Sequence, residues 1–171
     1  MIAFRVKQQG GNQAALARVR TKISQCLPGH DQPEETMPSA LEEKDAIREL
    51  LAEYCFRLDD GHFAEMAALF AEGGSWDTAF GKATGRAAIA DLARNLRERA
   101  GPQRSRGIHL VTNIAIALDG ASARVRSNWT VVQNSPEGPK VGSGGAYHDE
   151  LVKEGGRWLF HHRKIDRFIA P

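Results

Sequence analysis

The chain has 171 residues, 42% of them hydrophobic and 26% charged, a composition typical of one soluble domain with a sizeable core. The 23 basic and 21 acidic residues leave a net charge of only +2, which argues against nucleic-acid binding as the main activity. No apolar run reaches the roughly 20 residues of a membrane span, and the two cysteines fit neither a disulfide framework nor a metal-ligand spacing. We therefore expect a cytoplasmic protein that binds neither nucleic acid nor membranes.

The first 36 residues differ in composition from the remainder of the chain. A polar run at 8–13 and a stretch rich in proline, glycine and acidic residues at 28–35 have the character of linkers, and the segment between them could form a short basic helix. We expect residues 1–36 to be a poorly ordered extension, or one with a short helix, outside a domain that spans 37–171.

The strongest helix signal follows directly after this extension. Apolar residues from Ala46 to Leu58 recur at helical spacing. Ser39 followed by Glu42 is the pattern of a capping box, which predicts the start of the helix, and Gly61 predicts its end.

Two further helices are predicted before residue 102. The second is expected to carry apolar residues between 63 and 70 on one face and to end at Gly73 and Gly74, after which residues 75–82 suggest a short hairpin. The third is predicted over 86–99, with Gly101 as its end.

The remainder of the chain has strand character. Long strands separated by turn signals such as Asp119-Gly120 are predicted at 108–118, 123–133, 141–153 and 157–168. Helices that precede an antiparallel meander favour an α+β fold in which three N-terminal helices pack on one curved antiparallel sheet. Such a sheet wrapped over a long helix would enclose a pocket for a small ligand.

Several short motifs occur in a fixed order between residues 41 and 168. They are the acid Asp59 at the end of the first helix and the segments 68–76, 85–89, 108–113 and 145–160. Together they resemble the SnoaL-like domain of the NTF2-like superfamily. The resemblance implies an α+β cone and a homo-oligomer, either a dimer or a trimer.

Within that superfamily the chain is similar to lyases of the scytalone dehydratase and hexachlorocyclohexane dehydrochlorinase type. The similarity implies a catalytic Asp–His dyad, with Asp59 on the first helix and His109 on the first long strand. Trp76 and Arg163 occupy the positions of two further active-site residues of the dehydrochlorinase, whereas its active-site lysine falls at Tyr54. The chain therefore has the dyad without the full residue set of either relative.

The expected substrate pocket combines these positions with aromatic and polar residues of the strands. Its candidate residues are Tyr54, Trp76, Phe80, Asn128, Trp129, Tyr147, His148 and Arg163. His161 and His162 are adjacent and point to opposite faces of a strand, so at most one of them can line the pocket. No metal or other cofactor is expected, because no set of histidines has a ligand spacing.

A neutral imidazole can take a proton near pH 7, and a carboxylate on its other ring nitrogen fixes the tautomer and stabilises the imidazolium. The leading hypothesis is therefore a cofactor-independent lyase of dehydratase type, or an isomerase, acting on a small apolar, aromatic or polyketide-like substrate. Alternatives are a non-catalytic ligand-binding module or small subunit of a ring-hydroxylating dioxygenase, and a steroid-isomerase-like enzyme that uses Tyr54 and Asp77. Asp60 is the rival acid to Asp59, but it lies in an Asp-Gly turn, which favours a turn-forming role for it.

Overall fold

The computed structural model describes residues 38–101 and 107–170. The predicted extension, residues 1–36, lies outside these ranges, so that assignment stays a prediction. The helices and strands are α1 (Ala40–Asp60), α2 (Phe63–Ala67), β1 (Phe70–Thr78), β2 (Gly81–Thr84), α3 (Arg86–Ala100), β3 (Gly107–Asp119), β4 (Ser122–Ser135), β5 (Gly138–Glu154) and β6 (Arg157–Ile169). None of the helices within the described ranges has both the length and the apolar character needed to cross a bilayer.

Helix α1 begins and ends as predicted. The Ser39 side chain accepts a hydrogen bond from the Glu42 backbone, and the Glu42 carboxylate accepts one from the Ser39 backbone, which completes the capping box. Gly61 ends the helix in the left-handed conformation at φ 82°, which glycine adopts without steric cost. One face of α1 is buried in the core, through Ile47, Leu50, Leu51, Tyr54 and Cys55.

The helices pack against one six-stranded sheet in the order β2-β1-β6-β5-β4-β3. The predicted α+β architecture is therefore present. One pairing departs from the expected antiparallel arrangement, because β1 runs parallel to β6. Turn signals reveal only partners that are adjacent in the chain, and β1 and β6 are the first and the last strand of the sheet in sequence.

The region around Gly73 and Gly74 differs from the prediction. Helix α2 ends at Ala67, and β1 starts at Phe70 and continues through both glycines. A Cβ on Gly74 would lie 2.8 Å from the carbonyl oxygen of Phe160, so this glycine allows β1 to approach the β6 backbone closely. The glycine pair that was expected to end a helix is thus part of a strand.

Strand β3 contains a bulge that changes which residues face the core. Asn113 and Ile114 together oppose the single residue Ser127 of β4, and Asn113 has a left-handed φ of 53°. Before the bulge His109 faces the helices, and after it Ile114 does so as well. Because a bulge adds one residue to one strand, two residues an odd number apart can share a face.

Candidate functional site

The concave face of the sheet and the helices enclose a cavity of about 600 Å³. Its wall is mostly apolar and aromatic, with residues from α1, α2, α3 and the strands. The acidic and basic residues of the wall are Asp59, His109, Arg97, Arg99 and Arg167. A mostly apolar cavity with a few polar groups is the usual form of a small-molecule site.

Asp59 and His109 lie in direct contact on this wall. The Asp59 Oδ1 atom is 2.5 Å from His109 Nδ1, and Oδ2 accepts a hydrogen bond from the His109 backbone N–H at 2.8 Å. An ionised carboxylate only accepts hydrogen bonds, so this contact places the proton of a neutral imidazole on Nδ1. Nε2 is then the basic nitrogen. The Asp59 side chain is 12% exposed and the His109 side chain is 20% exposed.

The end of α1 that carries Asp59 is held by α3. Arg97 donates hydrogen bonds from its guanidinium to the carbonyl oxygens of Leu58 at 2.8 Å and Asp59 at 3.1 Å. These carbonyls belong to the last turn of α1, where the regular donors of the helix are missing. The Leu58 oxygen also accepts a longer hydrogen bond from the Gly61 backbone N–H at 3.3 Å. Arg97 therefore fixes the helix end from which the Asp59 side chain extends towards β3. The rival acid, Asp60, is exposed and does not line the cavity.

Four of the predicted aromatic residues form the buried part of the wall. They are Tyr54, Trp76, Trp129 and Tyr147. The rings of Trp129 and Tyr147 stack with centroids 5.8 Å apart. Burial raises the pKa of Tyr54, which keeps its hydroxyl protonated. The Tyr54 hydroxyl and the Trp76 indole nitrogen are close enough to influence each other electrostatically. Neither atom makes a hydrogen bond of normal geometry within the described part of the chain.

Phe80 also lines the cavity, but at its edge, since the residue is 61% exposed. The guanidinium of Arg167 lies 5.6 Å from the centroid of its ring. Phe80 and Arg167 therefore belong to the part of the wall that solvent reaches.

Arg163 does not line the cavity, contrary to the prediction. It is fully buried, and its guanidinium donates two hydrogen bonds to Asp149 at 2.7 and 2.8 Å. The rings of Tyr54, Tyr147 and Phe160 surround it at 4.1 to 4.2 Å. Burial alone would lower the pKa of Arg163, but the charge and hydrogen bonds of Asp149 outweigh that effect and raise it. Arg163 therefore supports the cavity wall from behind.

Asn128 and His148 were also expected in the pocket, and both lie on the opposite face of the sheet. Side chains alternate along a strand, so the inward positions of Trp129 and Tyr147 direct their neighbours outward. His148 instead lies 3.3 Å from the carboxylate of Asp166.

The two histidines of β6, His161 and His162, do not line the cavity. His161 is exposed, and the Nδ1 atom of His162 lies 2.7 Å from the Ser75 hydroxyl. Within residues 38–101 and 107–170, no three His, Cys, Asp or Glu side chains form a group that could hold a metal ion.

The prediction missed the three arginines of the wall, Arg97, Arg99 and Arg167. A signal existed for Arg167, because it is separated from Ile165 by one residue and both therefore share a strand face. The helical arginines carried no such signal, since basic residues near the end of a helix are usually solvated.

The SnoaL-like domain family matches residues 39–164, most of the described chain. The chain belongs to the SnoaL-like domain family. This confirms the resemblance inferred from the order of the motifs. No curated protein sequence matches this SnoaL-like chain.

Several solved structures share the fold of this SnoaL-like chain. A provisionally assigned scytalone dehydratase from Novosphingobium aromaticivorans is 30% identical, with a TM-score of 0.63 over 75% of this chain and 86% of that one. An NTF2-like protein with a cystatin-like fold from the same organism is 22% identical, with a TM-score of 0.66 over 90% and 88% of the two chains. The beta subunit of a provisionally assigned aromatic-ring-hydroxylating dioxygenase, also from that organism, is 19% identical, with a TM-score of 0.66 over 77% and 93%. The predicted fold is confirmed.

Proposed function

We propose that this SnoaL-like protein is a cofactor-independent lyase of dehydratase type, or an isomerase, that acts on a small, mostly apolar, aromatic or polyketide-like substrate. The observation that carries the proposal is the contact between Asp59 and His109 on the wall of the cavity. A carboxylate that binds Nδ1 leaves Nε2 free to accept a proton from a bound substrate.

The chemistry that fits this pair is removal of a proton from a carbon next to a carbonyl group. Nε2 of His109 takes the proton, and the electron pair of the broken C–H bond forms an enolate. When the enolate reforms the carbonyl, the pair moves into a new C=C bond and expels a hydroxyl group from the β-carbon. The imidazolium returns the proton to that hydroxyl, so water is released and the histidine is regenerated. In an isomerisation the proton returns to a different carbon.

Asp59 stabilises the imidazolium that exists between these two proton transfers. Its second oxygen is held by the His109 backbone, so the carboxylate cannot turn away from the ring without losing that hydrogen bond. The apolar and aromatic residues of the wall lower the local dielectric constant, which strengthens the electrostatic interaction between Asp59 and the imidazolium. The structure named as a provisional scytalone dehydratase, at 30% identity, also favours the dehydratase form of the proposal.

The steroid-isomerase-like alternative has less support. It needs Asp77 beside Tyr54 in the cavity, but Asp77 does not line the cavity, and its carboxylate lies 2.7 Å from Lys82 Nζ. The alternation of β1 directs Trp76 inward and Asp77 to the other face.

The non-catalytic alternatives rest on fold alone, because the dioxygenase beta subunit is only 19% identical. A supporting subunit or a simple binding module would not require a base in the cavity. Co-purification of a large iron-containing subunit would favour the first of these alternatives. The homo-oligomer that the family resemblance implies, dimer or trimer, stays a prediction.

The experiment is a screen of bicyclic aromatic β-hydroxy ketones, in which loss of water extends the conjugation and raises the ultraviolet absorbance. With an active compound, we expect His109→Ala to lower kcat by roughly 10²–10⁴-fold, the usual contribution of a general base. Asp59→Asn should also lower kcat without unfolding the protein, because an amide cannot stabilise the imidazolium.

The matched control is His148→Ala, which removes a histidine from the outer face of the sheet and should leave turnover near the wild-type level. A chelator should have no effect. Full activity in His109→Ala would rule out the base assignment, and sensitivity to the chelator would point to a metal instead.

A further inference from the structure

Two arginines of β6 share the inward face of the sheet but have different surroundings. Arg163 has a dedicated counter-ion, since both oxygens of Asp149 accept its hydrogen bonds. Arg167 lies four residues further along the strand and lines the cavity. Among the residues that the structure describes, no carboxylate lies within ion-pair distance of Arg167.

The acids nearest to Arg167 in the sequence and in the cavity are already engaged. Asp166 points to the other face of β6, where its carboxylate pairs with Lys164 at 2.9 Å and His148 at 3.3 Å. Asp59 is the only acid of the cavity wall among the described residues, and both of its oxygens bind His109. Neither carboxylate therefore neutralises Arg167.

Part of the Arg167 side chain is also shielded from water. Its Nε atom is buried and has no hydrogen-bond partner in the described ranges. The guanidinium carbon lies 5.6 Å from the centroid of the Phe80 ring, within the range of a cation–π interaction. A buried donor without a partner costs free energy that a bound acceptor would recover.

The other two arginines of the wall, Arg97 and Arg99, belong to α3 and differ from Arg167 in their surroundings. Arg97 uses its guanidinium on the carbonyls at the end of α1, and Arg99 is exposed at the end of α3. Among the described residues, Arg167 thus combines a charge without a carboxylate partner, a buried donor without a hydrogen-bond partner and a position beside the Phe80 ring. A planar guanidinium binds a carboxylate through two parallel hydrogen bonds, the geometry that Arg163 and Asp149 show in this chain.

We propose that Arg167 is a specificity-determining residue that binds a carboxylate carried by an aromatic ligand, and so orients that ligand between Phe80 and the Asp59–His109 pair. The inference deepens the proposed function by naming the substrate class as aromatic carboxylic acids, and its catalytic consequence rests on that function. The binding of the carboxylate by Arg167 does not rest on the proposed function, because the carboxylate would be recognised whether or not the ligand reacts.

The test is isothermal titration calorimetry at pH 7 with two ligands of one shape, 2-naphthoate and the neutral 2-naphthamide. We expect the wild-type protein to bind the carboxylate roughly 10–100-fold more tightly than the amide, as for a hydrogen bond to a charged group. Arg167→Gln should lose that preference, and Arg167→Lys should keep part of it, since the charge remains without the planar fork. Thermal melting of both variants shows whether each is folded.

Two matched controls separate a specific contact from the general charge of the wall. Arg99→Gln removes a cation from the rim of the cavity, and Arg124→Gln removes an exposed one on β4 outside it. Both should keep the preference for 2-naphthoate. Equal loss in Arg99→Gln, survival of the preference in Arg167→Gln, or no binding of 2-naphthoate to the wild type would each overturn the proposal.

The variants of the proposed dyad keep the two hypotheses distinguishable. His109→Ala should retain the preference for 2-naphthoate even though it removes the proposed base. If that preference survives while His109→Ala is fully active towards a substrate, the catalytic assignment fails and the assignment of Arg167 stands. If turnover depends on His109 but Arg167→Gln binds both naphthyl compounds like the wild type, the catalytic assignment stands and the assignment of Arg167 fails.

Discussion

The ion pair behind the cavity wall offers a quantitative test of the structure. Arg163 and Asp149 are both buried, and Asp149→Leu would leave the guanidinium without a counter-ion among three aromatic rings. Removal of one partner of a buried pair typically costs about 3–5 kcal/mol. For a chain of this size each kcal/mol lowers Tm by about 2–4 °C, so we expect a fall of roughly 6–20 °C.

The double variant Asp149→Leu/Arg163→Met tests the reason for that loss. One Arg163 nitrogen, Nη1, is already buried without a partner in the described chain, so the pair is imperfectly satisfied in the native protein. If the cost arises from an unpaired buried charge, removal of both charges should recover most of the stability, to within about 1–2 kcal/mol of the wild type.

Urea denaturation at pH 7 measures the free energies of unfolding, and the four proteins form a double-mutant cycle. Asp91→Leu is the control, since Asp91 pairs with Arg94 on an exposed face of α3 and should contribute at most about 1 kcal/mol. A cost below about 1 kcal/mol for Asp149→Leu would refute the reasoning. The reasoning would also be refuted if the double variant lost as much free energy of unfolding as the two single variants lose together.

Two further predictions concern backbone and thiol chemistry. Asn113→Gly should be close to neutral, because glycine accepts the left-handed φ of 53°, whereas Asn113→Val should cost about 1–2 kcal/mol in urea unfolding; equal stability of both would show that the bulge relaxes. Burial raises the pKa of the Cys55 thiol to about 11, above its unfolded value near 9, so its contribution to stability is complete below about pH 9 and is lost as the pH rises towards 11. In a Cys26→Ser background, iodoacetamide at pH 8 should therefore label the native protein much more slowly than the urea-unfolded one, and equal rates would show that Cys55 is accessible.

Much of the fold follows from local sequence signals. The apolar spacing after residue 45, the capping box at Ser39 and the glycine at 61 define α1 because each acts within a few residues. The hairpin turns of β3 to β6 are equally local, and the predicted strand ends lie within a few residues of the observed ones. The start of β1 and its parallel pairing with β6 depend on the close approach of Gly74 to Phe160, which no local signal reveals.

The site was less accessible to prediction, because it depends on which strand face is concave. The family resemblance indicated Asp59 and His109, but it did not show that Asn128 and His148 point outward. Arg163 was expected beside a ligand, since a single sequence does not show that Asp149 is its partner. Arg167, which has no such partner in the described chain, was missed although it shares a strand face with Ile165.

The bulge in β3 is the clearest case in which backbone geometry outweighs the sequence pattern. Ile114, Ile116 and Leu118 are partly buried against the core, and strict alternation from them would direct His109 to the outer face. The extra residue at Asn113 reverses the alternation, so His109 faces the helices while its neighbours Ile108 and Leu110 are exposed. The contact between Asp59 and His109 therefore depends on a residue that touches neither of them. A change in chain length between Thr112 and Ala115 would separate the pair even with both side chains intact.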